Sequence, residues 1–87
     1  MLHVLVRHKV ADFTKWKPVY DAHLPARKAA GMKELHLWHN LENATEVILL
    51  FEAGDINKVR EFFTDADVAR TIKKSGVTDK PDIYLLG

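Results

Sequence analysis

Thr45-Glu46-Val47-Ile48-Leu49-Leu50-Phe51-Glu52 is the stretch from which the fold can be read. Its apolar residues form one unbroken row, and short runs of this kind with polar ends read as strands. Side chains alternate along a strand, so Val47, Leu49 and Phe51 share one face while Ile48 and Leu50 share the other. A strand apolar on both faces belongs inside a sheet that is covered on both sides. The segment is also the longest apolar run in the chain. It is far short of the ~20 residues that a membrane helix needs.

Residues upstream and downstream supply the partners of this strand. Met32-Lys33-Glu34-Leu35-His36-Leu37-Trp38-His39 alternates and reads as a strand, joined through the polar connection Asn40-Leu41-Glu42-Asn43-Ala44. Leu2-His3-Val4-Leu5-Val6-Arg7-His8 alternates in the same way. Between the two, Asp12 offers a helix cap, and a helix is expected up to about Ala30, with Gly31 suited to its left-handed end. Pro18 and Pro25 each lack an N–H and crowd the turn before them, so a kinked helix, or a short turn at 13–17 followed by a main helix, is expected. After the quoted strand, Asp55 caps a second helical segment carrying Ile56, Val59, Phe62 and Phe63 at helical spacing. Thr64-Asp65 restarts it, Val68, Ala69 and Ile72 continue the stripe to Ser75, and Gly76 ends it. Ile83-Tyr84-Leu85-Leu86 reads as a last strand.

Strand, helix, strand, strand, helix, strand is the ferredoxin-like βαββαβ arrangement, an α+β fold with two helices on one face of a four-stranded antiparallel sheet. Right-handed crossovers leave few other topologies, and the expected strand order is 4-1-3-2. One domain spans residues 1–87. Two helices cover one face only, which leaves Ile48, Leu50 and Leu5 on the other, where polar residues are usual. A second subunit packed on that face resolves the conflict, so a symmetric homodimer is expected.

With 13 Lys and Arg against 12 Asp and Glu, the net charge is +1, which argues against nucleic acid or an acidic membrane as partner. No cysteine is present, which rules out disulfides, thiolate metal sites and a cysteine nucleophile. Met1-Leu2-His3-Val4-Leu5-Val6 has no basic leader and is cut short by Arg7-His8-Lys9, so the expected compartment is the cytoplasm.

Chemistry concentrates on the first helix. Phe13, Trp16, Tyr20, His23 or Leu24, and Arg27 follow helical spacing and share one stripe. A buried helix face is usually aliphatic, whereas this one begins aromatic and ends in histidine and arginine, as the lining of a small pocket would. Against this stands the reading of Trp16 and Tyr20 as core, with His23 and Arg27 at the solvent edge. His8 ends the first strand on the helix side and is expected near the pocket mouth, where an imidazole can exchange a proton near neutral pH. The pocket expected from these residues is walled by Trp16, Tyr20, Phe51 and Phe62, with His39 beside it. His8, His23, Tyr20 and Arg27 are the candidate catalytic groups. His8 or His23 would move a proton, Tyr20 would hydrogen-bond an oxygen, and Arg27 would hold a carboxylate or enolate.

No two histidines share a strand face, and neither HxH nor HExxH spacing occurs. The one arrangement left open for a metal is assembled across strands, such as His8 with His39. Neither metal nor any other cofactor is expected. Ser75, the only serine, falls at a helix end, which speaks against a serine nucleophile. Alternation also places His3, Arg7, Glu34, His36 and Trp38 on the dimer-facing side, with Arg7 pairing with Glu46 and His3 with Glu52.

Val6-Arg7-His8-Lys9-Val10, Asp12-Phe13-Thr14-Lys15-Trp16-Lys17-Pro18-Val19-Tyr20-Asp21, Arg27-Lys28-Ala29-Ala30-Gly31 and Glu46-Val47-Ile48-Leu49-Leu50-Phe51-Glu52 give nearly the whole chain a family likeness. It resembles the dimeric α/β-barrel superfamily, of the antibiotic-biosynthesis monooxygenase-like and stress-responsive barrel type, and is most similar to its short uncharacterised bacterial members. The resemblance implies two ferredoxin-like subunits packed sheet to sheet. Its implication for activity is a small cofactor-independent monooxygenase, cyclase or isomerase acting on a compact aromatic or enolisable molecule. The other reading is a non-catalytic small-molecule-binding or structural homodimer whose pocket is filled by side chains.

Overall fold

In the structure, a computed structural model that describes residues 1–87, the apolar run lies inside the sheet. The strands are β1 (Leu2–Lys9), β2 (Met32–His39), β3 (Glu46–Ala53) and β4 (Asp82–Leu86). Their order is β2-β3-β1-β4, which is 4-1-3-2 read from the other edge, and every neighbouring pair is antiparallel. The helices are α1 (Phe13–Ala22), α2 (Leu24–Ala29), α3 (Ile56–Thr64) and α4 (Ala66–Lys74). Each expected helix is therefore a pair.

The second pair breaks where Thr64-Asp65 implies it should. Asp65 accepts hydrogen bonds from the backbone N–H groups of Asp67 and Val68, capping α4, and Asp55 does the same for Asn57 and Lys58 at the start of α3. The first pair breaks at His23, before Pro25 and not at Pro18, which stays inside α1. A break at His23 places Pro25 in the first turn of a new helix, where its missing N–H needs no partner. Gly31 and Gly76 take φ values of 72° and 95° at the ends of the two pairs, a conformation that side-chain-bearing residues rarely adopt.

Val4, Val6 and His8 of β1 and Val47, Leu49, Phe51 and Ala53 of β3 are buried on the face under the helices. They pack with Val10, Trp16, Ala30, Met32 and Val59 into the core. Only 15 of 87 residues are buried, so each of these side chains carries a large share of the stability.

Strand β2 departs from simple alternation. Glu34 lies opposite Phe51, but His36 lies opposite Leu50, so Leu35 is an extra residue in a bulge. The bulge reverses the parity within the strand. His36 and Trp38 lie on the outer face as expected, whereas Glu34 turns to the helix side, where it accepts a hydrogen bond from the Tyr20 hydroxyl at 2.7 Å.

Rows of side chains cross the outer face. His36, Leu50, Leu5 and Tyr84 form one row, and Trp38, Ile48, Arg7 and Asp82 form the next. The His36 and Trp38 rings stack with centroids 4.6 Å apart. Arg7 bridges Glu46 and Asp82 at 2.9 Å each, which raises its own pKa and holds the Glu46 carboxyl below its ordinary value. His3 stands opposite Glu52 in register, but no hydrogen bond joins them. No helix is long and apolar enough to cross a membrane.

Candidate functional site

Helix α1 is started by Asp12, whose carboxylate accepts from the Thr14 N–H at 2.9 Å, and this fixes which side chains turn towards the sheet. Trp16 is the first and is buried to 2% exposure. Its ring stacks on Tyr20 at 4.8 Å and meets the His8 ring edge-on at 5.7 Å. One turn further, the break at His23 bends the chain so that α2 carries Arg27 back over Tyr20. The guanidinium carbon lies 3.7 Å from the Tyr20 ring centroid, within cation–π range. Trp16, Tyr20 and Arg27 thus form one continuous stack.

Arg27 is buried, with 5% exposure, and no carboxylate pairs with it. One of its N–H groups donates to the Tyr20 carbonyl at 2.6 Å, capping the end of α1, where positive charge is favoured. The remaining donors have no acceptor within the chain. Tyr20 is fixed at its far end by Glu34, and burial raises its pKa.

His8 is the isolated polar group here. It is buried against Trp16, and neither Nδ1 nor Nε2 has a hydrogen-bond partner. Burial alone pulls its pKa down to about 4, so at neutral pH it is an uncharged imidazole with a free lone pair. The expectation of His8 at a pocket mouth is corrected here. It lies on the sheet, beneath the helices, because β1 is central and fully covered at that point.

These groups meet around one cavity of about 50 Å³, bounded by the two helix pairs above and the sheet below. That is room for on the order of four waters, or a ligand portion of a few heavy atoms. His8, Trp16, Tyr20, His23, Arg27, Phe51 and Phe62 all line it. His23 lines it where Leu24 was the alternative, and Leu24 is exposed. Burial, with Arg27 nearby as the smaller cause, lowers the His23 pKa. Among the lining residues Arg27 is the one with a permanent charge, so the cavity is electropositive.

His39 does not reach the cavity, which corrects its placement among the pocket residues. Val47 stands between it and His8 in the register, and its ring packs edge-on against Phe13 at 5.6 Å. The same strand keeps His8 and His39 from converging on a metal, and nowhere do three or more His, Asp or Glu residues gather to hold one. Thr71, Ile72 and Ser75 of the α4 end also line the cavity and were not foreseen there. The spacing of Val68, Ile72 and Ser75 on one helical face was the signal that could have found them. Ser75 donates its hydroxyl to the Ile72 carbonyl at 2.5 Å, consistent with a capping rather than a nucleophilic part.

No protein-family model and no curated protein matches this chain. Solved structures do match over its whole length. An antibiotic biosynthesis monooxygenase superposes with a TM-score of 0.72 at 11% identity, over 100% of this chain and 97% of that one. A candidate antibiotic biosynthesis monooxygenase from Bordetella bronchiseptica gives 0.77 at 13% identity, over 99% and 94% of the two chains. An uncharacterised NIPSNAP domain protein from Burkholderia xenovorans gives 0.70 at 9% identity, over 100% and 93%. The chain therefore has the ferredoxin-like fold of antibiotic biosynthesis monooxygenase structures. At such identities the likeness is one of fold, and fold alone does not carry activity.

Proposed function

We propose that this protein is a small enzyme, working without a bound cofactor, that moves a proton on a compact aromatic or enolisable molecule held in the cavity. The observation that carries the reading is the pairing of a buried, acid-free Arg27 with a buried, unpartnered His8 on one small cavity. Buried polar groups are nearly always satisfied, and His8 is an exception of the kind that concentrates where a ligand or reaction uses it. The monooxygenase fold of the solved structures fits this reading.

The chemistry follows from the two groups. A C–H bond next to a carbonyl breaks, the proton goes to an imidazole nitrogen of His8 or His23, and the electron pair moves to the carbonyl oxygen. Arg27 stabilises the resulting enolate oxygen, in a setting where its charge is weakly screened. Negative charge forming in the cavity also offsets the desolvation that keeps His8 neutral. Return of the proton to another carbon gives isomerisation, attack of the carbanion on a carbonyl of the same molecule gives cyclisation, and capture by dioxygen gives oxygenation. Tyr20 contributes through its ring, since its hydroxyl is bound to Glu34.

Hydrogen–deuterium exchange tests the reading. The protein is incubated in D2O with a panel of enolisable ketones and keto acids, aryl ketones included, and loss of the proton next to the carbonyl is followed by NMR. Exchange above the solvent rate, falling at least tenfold in the His8→Gln/His23→Gln double variant, is expected. Exchange that never exceeds the solvent rate, or that is unchanged in the double variant, would remove the reading. The second reading, a non-catalytic small-molecule-binding or structural homodimer, is favoured by the bond from Arg27 to the Tyr20 carbonyl, which gives the arginine a capping role of its own.

The outer sheet face supports a homodimer in either case. Leu5, Ile48 and Leu50 run along the two central strands, with Trp38, Tyr84 and Leu86 exposed beside them. Arg7, the cation in the row with Trp38 and Ile48, is already paired with Glu46 and Asp82, so a second copy can cover that row without stranding its charge.

A further inference from the structure

The cavity does not stand alone. A second hollow of about 420 Å³ opens to solvent between α2 and the α3–α4 pair, walled by Ala26, Ala29, Ala30 and Val68. His23 and Phe62 line both spaces, with ring centroids 5.9 Å apart. They form the partition between a small inner cavity and a larger outer cleft. The two ends differ in charge. Arg27 is the inner charge, whereas Glu61, Asp65 and Asp67 outnumber Lys58 along the cleft. Ala26 and Ala29 of α2, Ala30 just after it and Val68 of α4 supply the apolar part of the cleft lining beside Phe62.

We infer that the site takes a monocarboxylate with an apolar tail, its carboxylate held by Arg27 in the inner cavity and its tail passing between His23 and Phe62 into the cleft. The inference rests on the cavity being a ligand site, as proposed above, and adds the class and orientation of the ligand. An inner space of about 50 Å³ takes a carboxylate and a carbon or two, so a longer molecule must leave through the partition. The partition is made of the His23 and Phe62 side chains, so the path asks for rotation of these two side chains and for no change of backbone. A neutral molecule leaves Arg27 without an acid, and a reversed acid places its charge among the cleft carboxylates. A carboxylate at Arg27 gains charge-assisted hydrogen bonds from donors that the chain leaves free.

Calorimetric titration of the whole protein at pH 7 with butanoate, hexanoate, octanoate and hexan-1-ol tests this. Each added methylene should tighten binding roughly fourfold until the cleft is filled. Hexan-1-ol, of the same length as hexanoate, should bind at least tenfold more weakly, and this comparison needs no variant. Arg27→Gln should lose hexanoate at least tenfold, and Ala29→Phe, which fills the cleft, should erase the advantage of octanoate over butanoate. A change in Trp16 emission in a Trp38→Phe background should follow hexanoate and localise it to the inner cavity. Absence of binding, binding independent of chain length, or equal binding of acid and alcohol would overturn the inference. The two proposals fail separately. Hexanoate binding without any hydrogen exchange removes the enzyme and keeps the ligand class. Exchange on a neutral ketone by a protein that ignores carboxylates does the reverse.

Discussion

His8 has neither ring nitrogen paired, and its pKa near 4 has burial as its sole cause. The consequence for stability has a definite sign. Above pH 6.5, the ordinary histidine value, the side chain is neutral in both the folded and the unfolded chain. Between 6.5 and about 4 the unfolded chain binds a proton that the folded one refuses, so stability falls as pH falls. The loss attributable to His8 saturates near ~3 kcal/mol below that window. Urea denaturation at pH 7 and pH 4 should show wild type losing about 3 kcal/mol more than His8→Leu across the interval. Equal losses would show that His8 is solvated in the folded protein. That His8 faces the helices was legible from alternation along the first strand. Its isolation was not, since it depends on how α1 packs Trp16 down onto the strand that precedes it.

At the scale of elements, most of the order follows from local chemistry. Asp12, Asp55 and Asp65 were each legible as caps, and each caps a helix by accepting backbone N–H bonds. Asp65 has two neighbours to serve, because α3 ends against it and α4 starts from it. Asp65→Ala is expected to cost about 1 kcal/mol in urea denaturation. A cost near zero would mean that packing alone holds the α3–α4 corner. Two elements departed from their reading. The break between α1 and α2 fell at His23 because Pro25 is harmless in a first turn. The bulge at Leu35 moved Glu34 under Tyr20 because a single inserted residue reverses every face that precedes or follows it. Neither is a matter of composition. A bulge is chosen by how two strands fit, and the Tyr20–Glu34 hydrogen bond forms only between elements that are already packed.

For the whole molecule, the outer sheet face decides how copies of the chain assemble. The His36-Leu50-Leu5-Tyr84 row crosses all four strands, next to a row containing Trp38 and Ile48. Leu50→Lys places an unpaired charge at the centre of the first row, and a buried unpaired charge is strongly unfavourable. Native mass spectrometry should find wild type as a dimer and Leu50→Lys as a monomer, with association at least a hundredfold weaker and the circular dichroism of the fold retained. A monomeric wild type would sink the homodimer reading. It would leave the fold untouched, since the core under the helices is complete within one chain.

Strand order, helix placement, caps and the two-faced centre of the sheet were determined by the sequence itself. Alternation, spacing and the hydrogen-bonding habits of Asp, Gly and Pro act over a few residues, and right-handed connection then leaves one practical topology. The stripe Trp16, Tyr20, His23, Arg27 was likewise visible as a helical face. Only the tertiary structure decided what that stripe does. It stacked Arg27 on Tyr20 without an acid, sealed His8 beneath Trp16, kept His39 away behind Val47 and brought Ser75 and Ile72 to the same cavity. Those facts depend on which side chains from distant segments meet, and on how much room they leave between them. Local sequence rules encode neither.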